Sequence, residues 1–374
     1  MADIQISFTT SLEFSVPSEL HPKSCDYSQT SNMAQIDSSS WKAYGKIDPE
    51  LEALIPHMPP SKGLGDYEDV PSLRVGIMEQ IGQLIAAGIF PLPDLSGIHK
   101  EEIQIPVRDG SSIRGLLYYA EDRPAGETGP VLVYFHGGGW VFGPPEAFEG
   151  NLQLAAKELG LVVISVDYRL APEHPFPTPA HDAWDSVQWI AANAGKFGGD
   201  PTKGFIVSGE SAGGNLAAIV AHEAADADLS PPITGALLNV PSVVHPEAVP
   251  EELKPHYNSY EEFKDALVLP RKALDFLFGN YKPNPQDPRF SVLNWPSGHK
   301  KQPPTYVQVC GMDPLRDEGL IYEQTLKQLG VPTQLKVWQG LPHAAPSFFP
   351  MLSASKTVPE ETKDELKWLL AQKS

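Results

Sequence analysis

Cysteine and positive charge are both scarce in this chain of 374 residues. Only two cysteines occur, Cys25 and Cys310, and neither has metal-ligand spacing around it, so the sequence predicts no disulfide framework and no metal site. This cysteine usage fits a reducing, cytoplasmic location. Lysine and arginine total 28 against 47 acidic residues, which gives a formal net charge of −19. Such a charge argues against nucleic acid or anionic membrane surfaces as partners.

Long apolar runs are missing as well. No stretch is long and apolar enough to span a bilayer, and the first residues lack the basic and then apolar order of a secretory signal. We therefore expect no integral membrane association. Residues 1–45 are rich in Ser, Thr and Gln and have no sustained apolar period. That composition predicts a flexible or weakly ordered N-terminal arm, although residues 4–14 alternate weakly, as a strand would.

Glycine, by contrast, is concentrated in two motifs. The run HGGGW, at residues 136–140, directly follows an apolar stretch of strand type at 131–135. Its bare backbone N–H groups can point at a developing oxyanion. The run GESAG, at residues 209–213, lies between a strand-like stretch and a small-residue helical stretch. In that context it predicts a nucleophile elbow, which holds Ser211 above a sheet in a strained backbone conformation.

Candidates for an acid and a base follow the elbow in the chain. Asp313 comes soon after the strand-like residues 305–310, and His343 follows the alternating stretch 333–338. This order of serine, aspartate and histidine is the one that α/β-hydrolases use. Asp317 is the alternative acid, but it falls in the first turn of the next helix, where a carboxylate is favoured by the helix terminus. We therefore predict Asp313 as the acid and His343 as the base.

Four motifs together resemble the hormone-sensitive-lipase family of esterases. They are HGGGW, DYRLAPEHPFP at residues 167–177, GESAGG, and DPLRDEG at residues 313–319. The resemblance implies an α/β-hydrolase fold, with a mostly parallel central sheet flanked by helices and a helical cap, and it implies no metal and no organic cofactor. It also implies that Ser211 is the nucleophile, His343 the general base and Asp313 its orienter.

The same resemblance implies an oxyanion hole and raises a question about the pocket. The oxyanion hole is assigned to the backbone N–H groups of Gly138, Gly139 and Ala212. Two aromatic residues, Trp140 and Phe142, lie just past the glycine run. They either form apolar walls beside the scissile bond or pack in the core, and the sequence leaves both roles open.

This chain departs from the family pattern directly after the predicted base. The family usually has Gly-Phe there, whereas His343 is followed by Ala344 and Ala345. Alanine lacks the conformational range of glycine and the bulk of phenylalanine. We therefore expect a different backbone in this loop and a roomier pocket beside it.

Strands and helices alternate from about residue 101 onward, which favours a mostly parallel sheet covered on both faces. We expect the catalytic core to comprise residues 96–244 and 302–374. Apolar residues at helical spacing predict N-terminal cap helices within residues 46–95. The proline- and aromatic-rich residues 245–301 are expected to form a second cap segment.

These observations predict a carboxylic ester hydrolase that acts through an acyl-enzyme. Its expected substrates are small-molecule esters, either short-to-medium acyl esters or esters of secondary metabolism, and the expected state is a monomer or a homodimer. A non-hydrolytic small-molecule receptor is one alternative, although the presence of His343 speaks against it. An acyltransferase or lyase on the same fold is another, because water and a competing alcohol use the same acyl-enzyme.

Overall fold

The computed structural model describes residues 36–58, 62–90 and 93–372. The strands in this part of the chain are β1 (Ile98–Pro106), β2 (Ser112–Ala120), β3 (Val131–Phe135), β4 (Val162–Val166), β5 (Phe205–Glu210), β6 (Gly235–Asn239), β7 (Thr305–Met312) and β8 (Thr333–Pro342). They form one sheet with the order β1-β2-β4-β3-β5-β6-β7-β8. The pairs β1–β2 and β2–β4 are antiparallel, and the other five pairs are parallel. The predicted mostly parallel sheet is therefore confirmed.

Helices connect the strands and cover both faces of the sheet. They are α1 (Trp41–Tyr44), α2 (Pro49–Leu54), α3 (Val70–Ala86), α4 (Glu149–Leu159), α5 (Thr178–Asn193), α6 (Ala212–Asp226), α7 (Ser259–Glu262), α8 (Arg271–Tyr281), α9 (Arg316–Gln328), α10 (Ala345–Phe348) and α11 (Val358–Ala371). Among the residues described, none of these helices is both long and apolar enough to cross a membrane.

The two layers of helices can be identified from the side chains of β3. Val131, Val133 and Phe135 belong to the apolar cluster that includes α5, α6 and α9. Leu132 and Tyr134 point to the other face and pack with α4 and α11. Every residue of β3, β4 and β6 is buried, since both faces of a parallel sheet are covered.

The first described residues lie at the carboxyl ends of β7 and β8. The backbone N–H of Asp48 donates to the carbonyl oxygen of Gly340 at 3.0 Å. Gly311 approaches the backbone of Tyr44 so closely that a Cβ on it would lie 1.9 Å from the Tyr44 carbonyl oxygen. The backbone of residues 36–58, the N-terminal segment, therefore contacts both strands that precede the predicted acid and base.

The last ten residues of the predicted N-terminal arm, 36–45, are among the described residues. Ile36 and Trp41 are only 6% and 4% exposed, and burial of these apolar side chains fixes residues 36–45 against the body of the protein. Residues 1–35 lie outside the described residues, and Cys25 lies among them. Cys310, in contrast, is buried in β7, as predicted.

The two stretches assigned to a cap lie close to one another. Arg74, in α3, donates to the carbonyl oxygens of Val141 and Ala171 at 2.8 Å each, beyond the carboxyl ends of β3 and β4. Lys272, in α8, lies 2.8 Å from Asp66 of the N-terminal stretch. Both stretches thus lie on the edge of the sheet where the glycine-rich motifs are found.

A buried pair of histidines ties the end of the second cap segment to the core. His222, in α6, accepts a hydrogen bond at Nδ1 from Gln302 (2.9 Å), and its Nε2 lies 3.3 Å from Nδ1 of His299 and 3.1 Å from the Tyr322 hydroxyl. His299 in turn donates from Nε2 to the carbonyl oxygen of Leu293. These partners fix one neutral tautomer for each ring, and burial lowers the pKa of both histidines, that of His299 to about 4.

Candidate active site

The predicted nucleophile elbow lies between β5, which ends at Glu210, and α6, which begins at Ala212. Ser211 has φ 57° and ψ −116°, a conformation that is strained for a residue with a side chain. A Cβ on Gly209 would lie 2.2 Å from the carbonyl oxygen of Gly213. The turn therefore requires glycine at that position, because the strand and the helix approach each other too closely for any side chain.

Three side chains predicted to act together meet at this elbow. Nε2 of His343 lies 2.9 Å from the Ser211 hydroxyl, and Nδ1 lies 2.7 Å from a carboxylate oxygen of Asp313. β7 and β8 are adjacent parallel strands, and Asp313 and His343 directly follow them, so the topology brings the two residues together. The hydrogen bond from Nδ1 to the carboxylate leaves Nε2 free to accept the serine proton.

The acid and the base are both withdrawn from solvent. Asp313 is 1% exposed and His343 4% exposed. The second carboxylate oxygen of Asp313 accepts the backbone N–H of Leu315 at 2.9 Å, which fixes the plane of the carboxylate. Both strands extend further than the sequence pattern predicted, to Met312 and Pro342, so the two residues lie directly at strand ends.

The HGGGW run forms a tight loop beyond the end of β3. Gly138 and Gly139 have φ of 120° and 59°, which favours glycine. His136 braces this loop: its Nδ1 donates to the carbonyl oxygen of Gly137 at 2.8 Å, and its ring stacks on Tyr168 at 4.3 Å. The Tyr168 hydroxyl donates to the His136 carbonyl oxygen at 2.7 Å. The loop is thus held from behind by a buried imidazole and a buried phenol.

Ala212 begins α6, directly after the serine. Backbone N–H groups in the first turn of a helix have no partner within that helix, so the N–H of Ala212 is free for another acceptor. The residue is buried, and the positive end of the helix dipole is located here.

The side chain of Trp140 packs in the core of the protein. The residue is 3% exposed, and its ring stacks on Tyr281 at 4.6 Å with an angle of 4° between the planes. Phe290 lies 5.2 Å away on another side. Phe142 is partly buried against the same core, and its carbonyl oxygen lies close to Gly138. Trp140 therefore joins the glycine loop to the second cap segment, and its role as an apolar wall beside the scissile bond stays a prediction.

The loop after the base begins with a residue in an unusual backbone conformation. Ala344 adopts φ 49° and ψ 34°, the left-handed conformation that favours glycine. This conformation costs an alanine about 1–2 kcal/mol. Ala344 and Ala345 are both buried, at 3% and 0% exposure. A cavity of about 20 Å³ lies behind the loop and is lined in part by Glu210 and Ala344. This space is sufficient for about one water molecule. The roomier substrate pocket stays a prediction.

Glu210 connects the elbow with the loop of the base. Its carboxylate accepts a hydrogen bond from the Ser347 hydroxyl at 2.8 Å. Burial raises the pKa of this carboxyl above its ordinary value. The side chain is directed at α10 rather than at the serine hydroxyl.

Sequence reasoning missed the role of the charged residues that follow the acid. Asp317 is 1% exposed, and one of its oxygens accepts the backbone N–H groups of Asn258 and Ser259 at 2.8 Å each. Its other oxygen pairs with Arg316 at 2.7 Å, and that guanidinium is itself 2% exposed. Asp317 therefore anchors the second cap segment rather than facing solvent at a helix terminus. Sequence carries little signal for this, since acidic residues in a first helical turn are usually solvated.

The sheet topology, together with a serine at an elbow between β5 and α6, defines the class of α/β-hydrolases. A family model described as alpha/beta hydrolase fold matches residues 132–347. An AB hydrolase superfamily protein of Schizosaccharomyces pombe is 37% identical over 91% of this chain and 98% of its own length. Versiconal hemiacetal acetate esterase of Dothistroma septosporum is 33% identical over 80% of this chain and 91% of its own length.

A solved structure indicates the same class of protein. The crystal structure of vibralactone cyclase superposes with a TM-score of 0.80 and is 34% identical, covering 88% of this chain and 96% of that protein. The chain belongs to the alpha/beta hydrolase fold family and, within it, to the hormone-sensitive-lipase-like carboxylesterases. The protein is an esterase-type hydrolase of carboxylic esters, as the sequence predicted.

Proposed function

We propose that Ser211, His343 and Asp313 are a catalytic triad that hydrolyses small-molecule esters through an acyl-enzyme. The proposal is carried by the two hydrogen bonds of His343, at 2.9 Å to the serine and 2.7 Å to the aspartate. Since a serine hydroxyl is a weak nucleophile at neutral pH, His343 takes its proton as Ser211 attacks the ester carbonyl. Asp313 stabilises the imidazolium that forms and keeps its ring in the productive tautomer.

The negative charge of the tetrahedral intermediate needs donors on the other side. We assign this role to the backbone N–H groups of Gly138, Gly139 and Ala212. Each such donor contributes on the order of 3 kcal/mol in comparable sites. After the alcohol departs, a water molecule repeats the attack on the acyl-enzyme, and His343 again acts as the base.

The substrates are proposed to carry short to medium acyl chains. Leu277, from the second cap segment, lies directly against Gly139 of the glycine loop, so little free width exists at that side of the loop. A curated relative that covers most of this chain is named for hydrolysis of an acetate ester of a small molecule. We propose a preference for acyl chains of roughly two to eight carbons, which fit an enclosed pocket.

Acyl transfer is a second candidate function. It is favoured by one observation, the 34% identity and the TM-score of 0.80 to a protein named as a cyclase. In that case an alcohol, within the substrate or on a second molecule, replaces water as the attacking group. Product analysis with a purified ester in the presence of graded alcohol distinguishes the two outcomes, because transfer yields a new ester and hydrolysis yields the acid.

The triad assignment is tested with p-nitrophenyl esters of increasing acyl length. Ser211→Ala and His343→Ala are expected to abolish turnover of the acetyl, butyryl and octanoyl esters while the protein remains folded. His57→Gln, at an exposed histidine, serves as the matched control and is expected to keep the parent rate. Activity of Ser211→Ala within tenfold of the parent would contradict the assignment. A rate maximum at the palmitoyl ester would contradict the enclosed pocket.

A further inference from the structure

Two buried side chains near the triad hold the second cap segment. Asn215 lies one helical turn after Ser211 in α6, and Glu318 lies in the first turn of α9, after Asp313. Both are 0% exposed. Neither is directed at the serine, and the mechanism proposed above uses neither of them.

Asn215 joins the two ends of this segment. Its Nδ2 donates to the carbonyl oxygen of Ser242 at 2.8 Å and to that of Phe290 at 2.9 Å. Ser242 lies just before the second cap segment, and Phe290 lies towards its end. The Asn215 amide thus uses both of its N–H groups to fix two distant points of the chain. Neither an alanine nor a carboxylate could replace it, because neither has an N–H donor in its side chain.

Glu318 fixes the same region from the side of the acid. One of its carboxylate oxygens lies 2.8 Å from the backbone N–H of Val243, and the other lies 3.1 Å from the Tyr257 hydroxyl. Burial raises the pKa of Glu318 to about 8. The negative charge of Asp313 acts in the same direction, because two nearby carboxylates repel each other.

The region that these two residues hold is the region that contacts the glycine loop. The ring of Phe290 packs against Trp140 at 5.2 Å. Leu277 is so close to Gly139 that a Cβ on the glycine would lie 2.6 Å from the leucine side chain. A displacement of the segment therefore changes the space beside the loop to which we assign the oxyanion hole.

We propose that Asn215 and Glu318 are positioning residues that fix the second cap segment relative to Ser211 and thereby set the acyl-chain selectivity of the enzyme. The proposal rests on the ester hydrolysis proposed above. Loss of either side chain releases the segment, which admits longer acyl groups and weakens the binding of short ones. We expect the ratio of kcat/KM for the butyryl ester to that for the decanoyl ester to fall about tenfold, which corresponds to about 1.4 kcal/mol.

The test compares Asn215→Ala, Glu318→Ala and Glu318→Gln, with all rates expressed per serine that a fluorophosphonate labels. Both alanine variants are expected to lower the selectivity ratio, mainly through a higher KM for the butyryl ester. Glu318→Gln is expected to retain the parent ratio, because its amide still accepts from Val243 and still reaches the Tyr257 hydroxyl. Asn193→Ala is the matched control: the Asn193 amide also donates to a backbone carbonyl oxygen, that of Trp189 within α5, and its loss is expected to leave the parent ratio unchanged.

The outcomes separate the two proposals. If the parent protein is not labelled by the fluorophosphonate, the triad proposal fails. If it is labelled but the alanine variants lose activity without a change in the ratio, their role is only structural and the positioning proposal is overturned. Should an alanine variant fail to fold, Tyr257→Phe removes a single hydrogen bond from Glu318. It is expected to shift the ratio in the same direction by about twofold, and an unchanged ratio would equally overturn the proposal.

Discussion

Replacement of Ser211 by glycine is expected to make the protein more stable than replacement by alanine, although we expect both variants to be inactive. The backbone at Ser211, with φ 57° and ψ −116°, lies in a region that strains a residue with a Cβ by roughly 1–3 kcal/mol. Glycine relieves this strain but loses about 0.5–1 kcal/mol through the greater freedom of the unfolded chain. Alanine keeps the Cβ and therefore the strain. We expect the glycine variant to exceed the alanine variant by roughly 0.5–2 kcal/mol in free energy of unfolding.

Calorimetry and denaturant unfolding of the two variants measure this difference. For a chain of 374 residues the average unfolding entropy predicts a shift in Tm of only about 1 °C per kcal/mol, so denaturant unfolding is the more sensitive assay. Ala53→Gly, in the exposed face of α2, is the control for the same exchange without strain, and it should lose about 1 kcal/mol. An alanine variant at Ser211 that equals or exceeds the glycine variant in stability would refute backbone strain at this residue.

Two further predictions concern buried ionisable groups. Asp313→Asn is expected to lower kcat by several orders of magnitude with a small loss of stability, because His343 is left in the wrong tautomer. Asp317→Asn should mainly lower the free energy of unfolding, by about 3 kcal/mol, because it breaks a buried ion pair. The reverse ranking, in rate and urea-unfolding measurements, would show that the acid is misassigned. The buried, neutral His222 and His299 each have a pKa below that of a histidine in the unfolded chain. Their contribution to the free energy of unfolding is therefore complete above pH 6.5 and is lost as the pH falls. For His299, with a pKa of about 4, the loss approaches about 3 kcal/mol near pH 4, and His299→Gln should make unfolding less sensitive to pH between 6.5 and 4.

The sequence predicted those parts of the protein in which neighbouring residues determine the structure. The apolar runs before the glycine motifs become strands buried on both faces, and the elbow at Ser211 follows from two glycines that no other residue can replace. The order of Ser211, Asp313 and His343 along the chain was sufficient to identify the three side chains that meet, because parallel strands deliver their carboxyl ends to one edge of the sheet.

Features that depend on distant residues could not be predicted in this way. Asp317 has the local pattern of a solvated helix start, and only the approach of Asn258 and Ser259 reveals its buried role. Trp140 stacks on Tyr281, which lies far along the chain, so its burial left no local trace. Ala344 takes a glycine-like conformation although it carries a Cβ, and composition alone carries no sign of that.

The contact of residues 36–58 with β7 and β8 has a consequence for how the protein folds. The N–H of Asp48 and the side chain of Glu50 find their partners at Gly340 and Ser353, nearly 300 and 303 positions later in the chain. During synthesis residues 36–58 therefore leave the ribosome long before the residues that receive them. Contacts of such large sequence separation form slowly, so we expect the docking of this segment to be a late step of folding. We therefore expect the apolar residues of this segment, Trp41 among them, to remain without their partners for most of synthesis and to favour aggregation during that time.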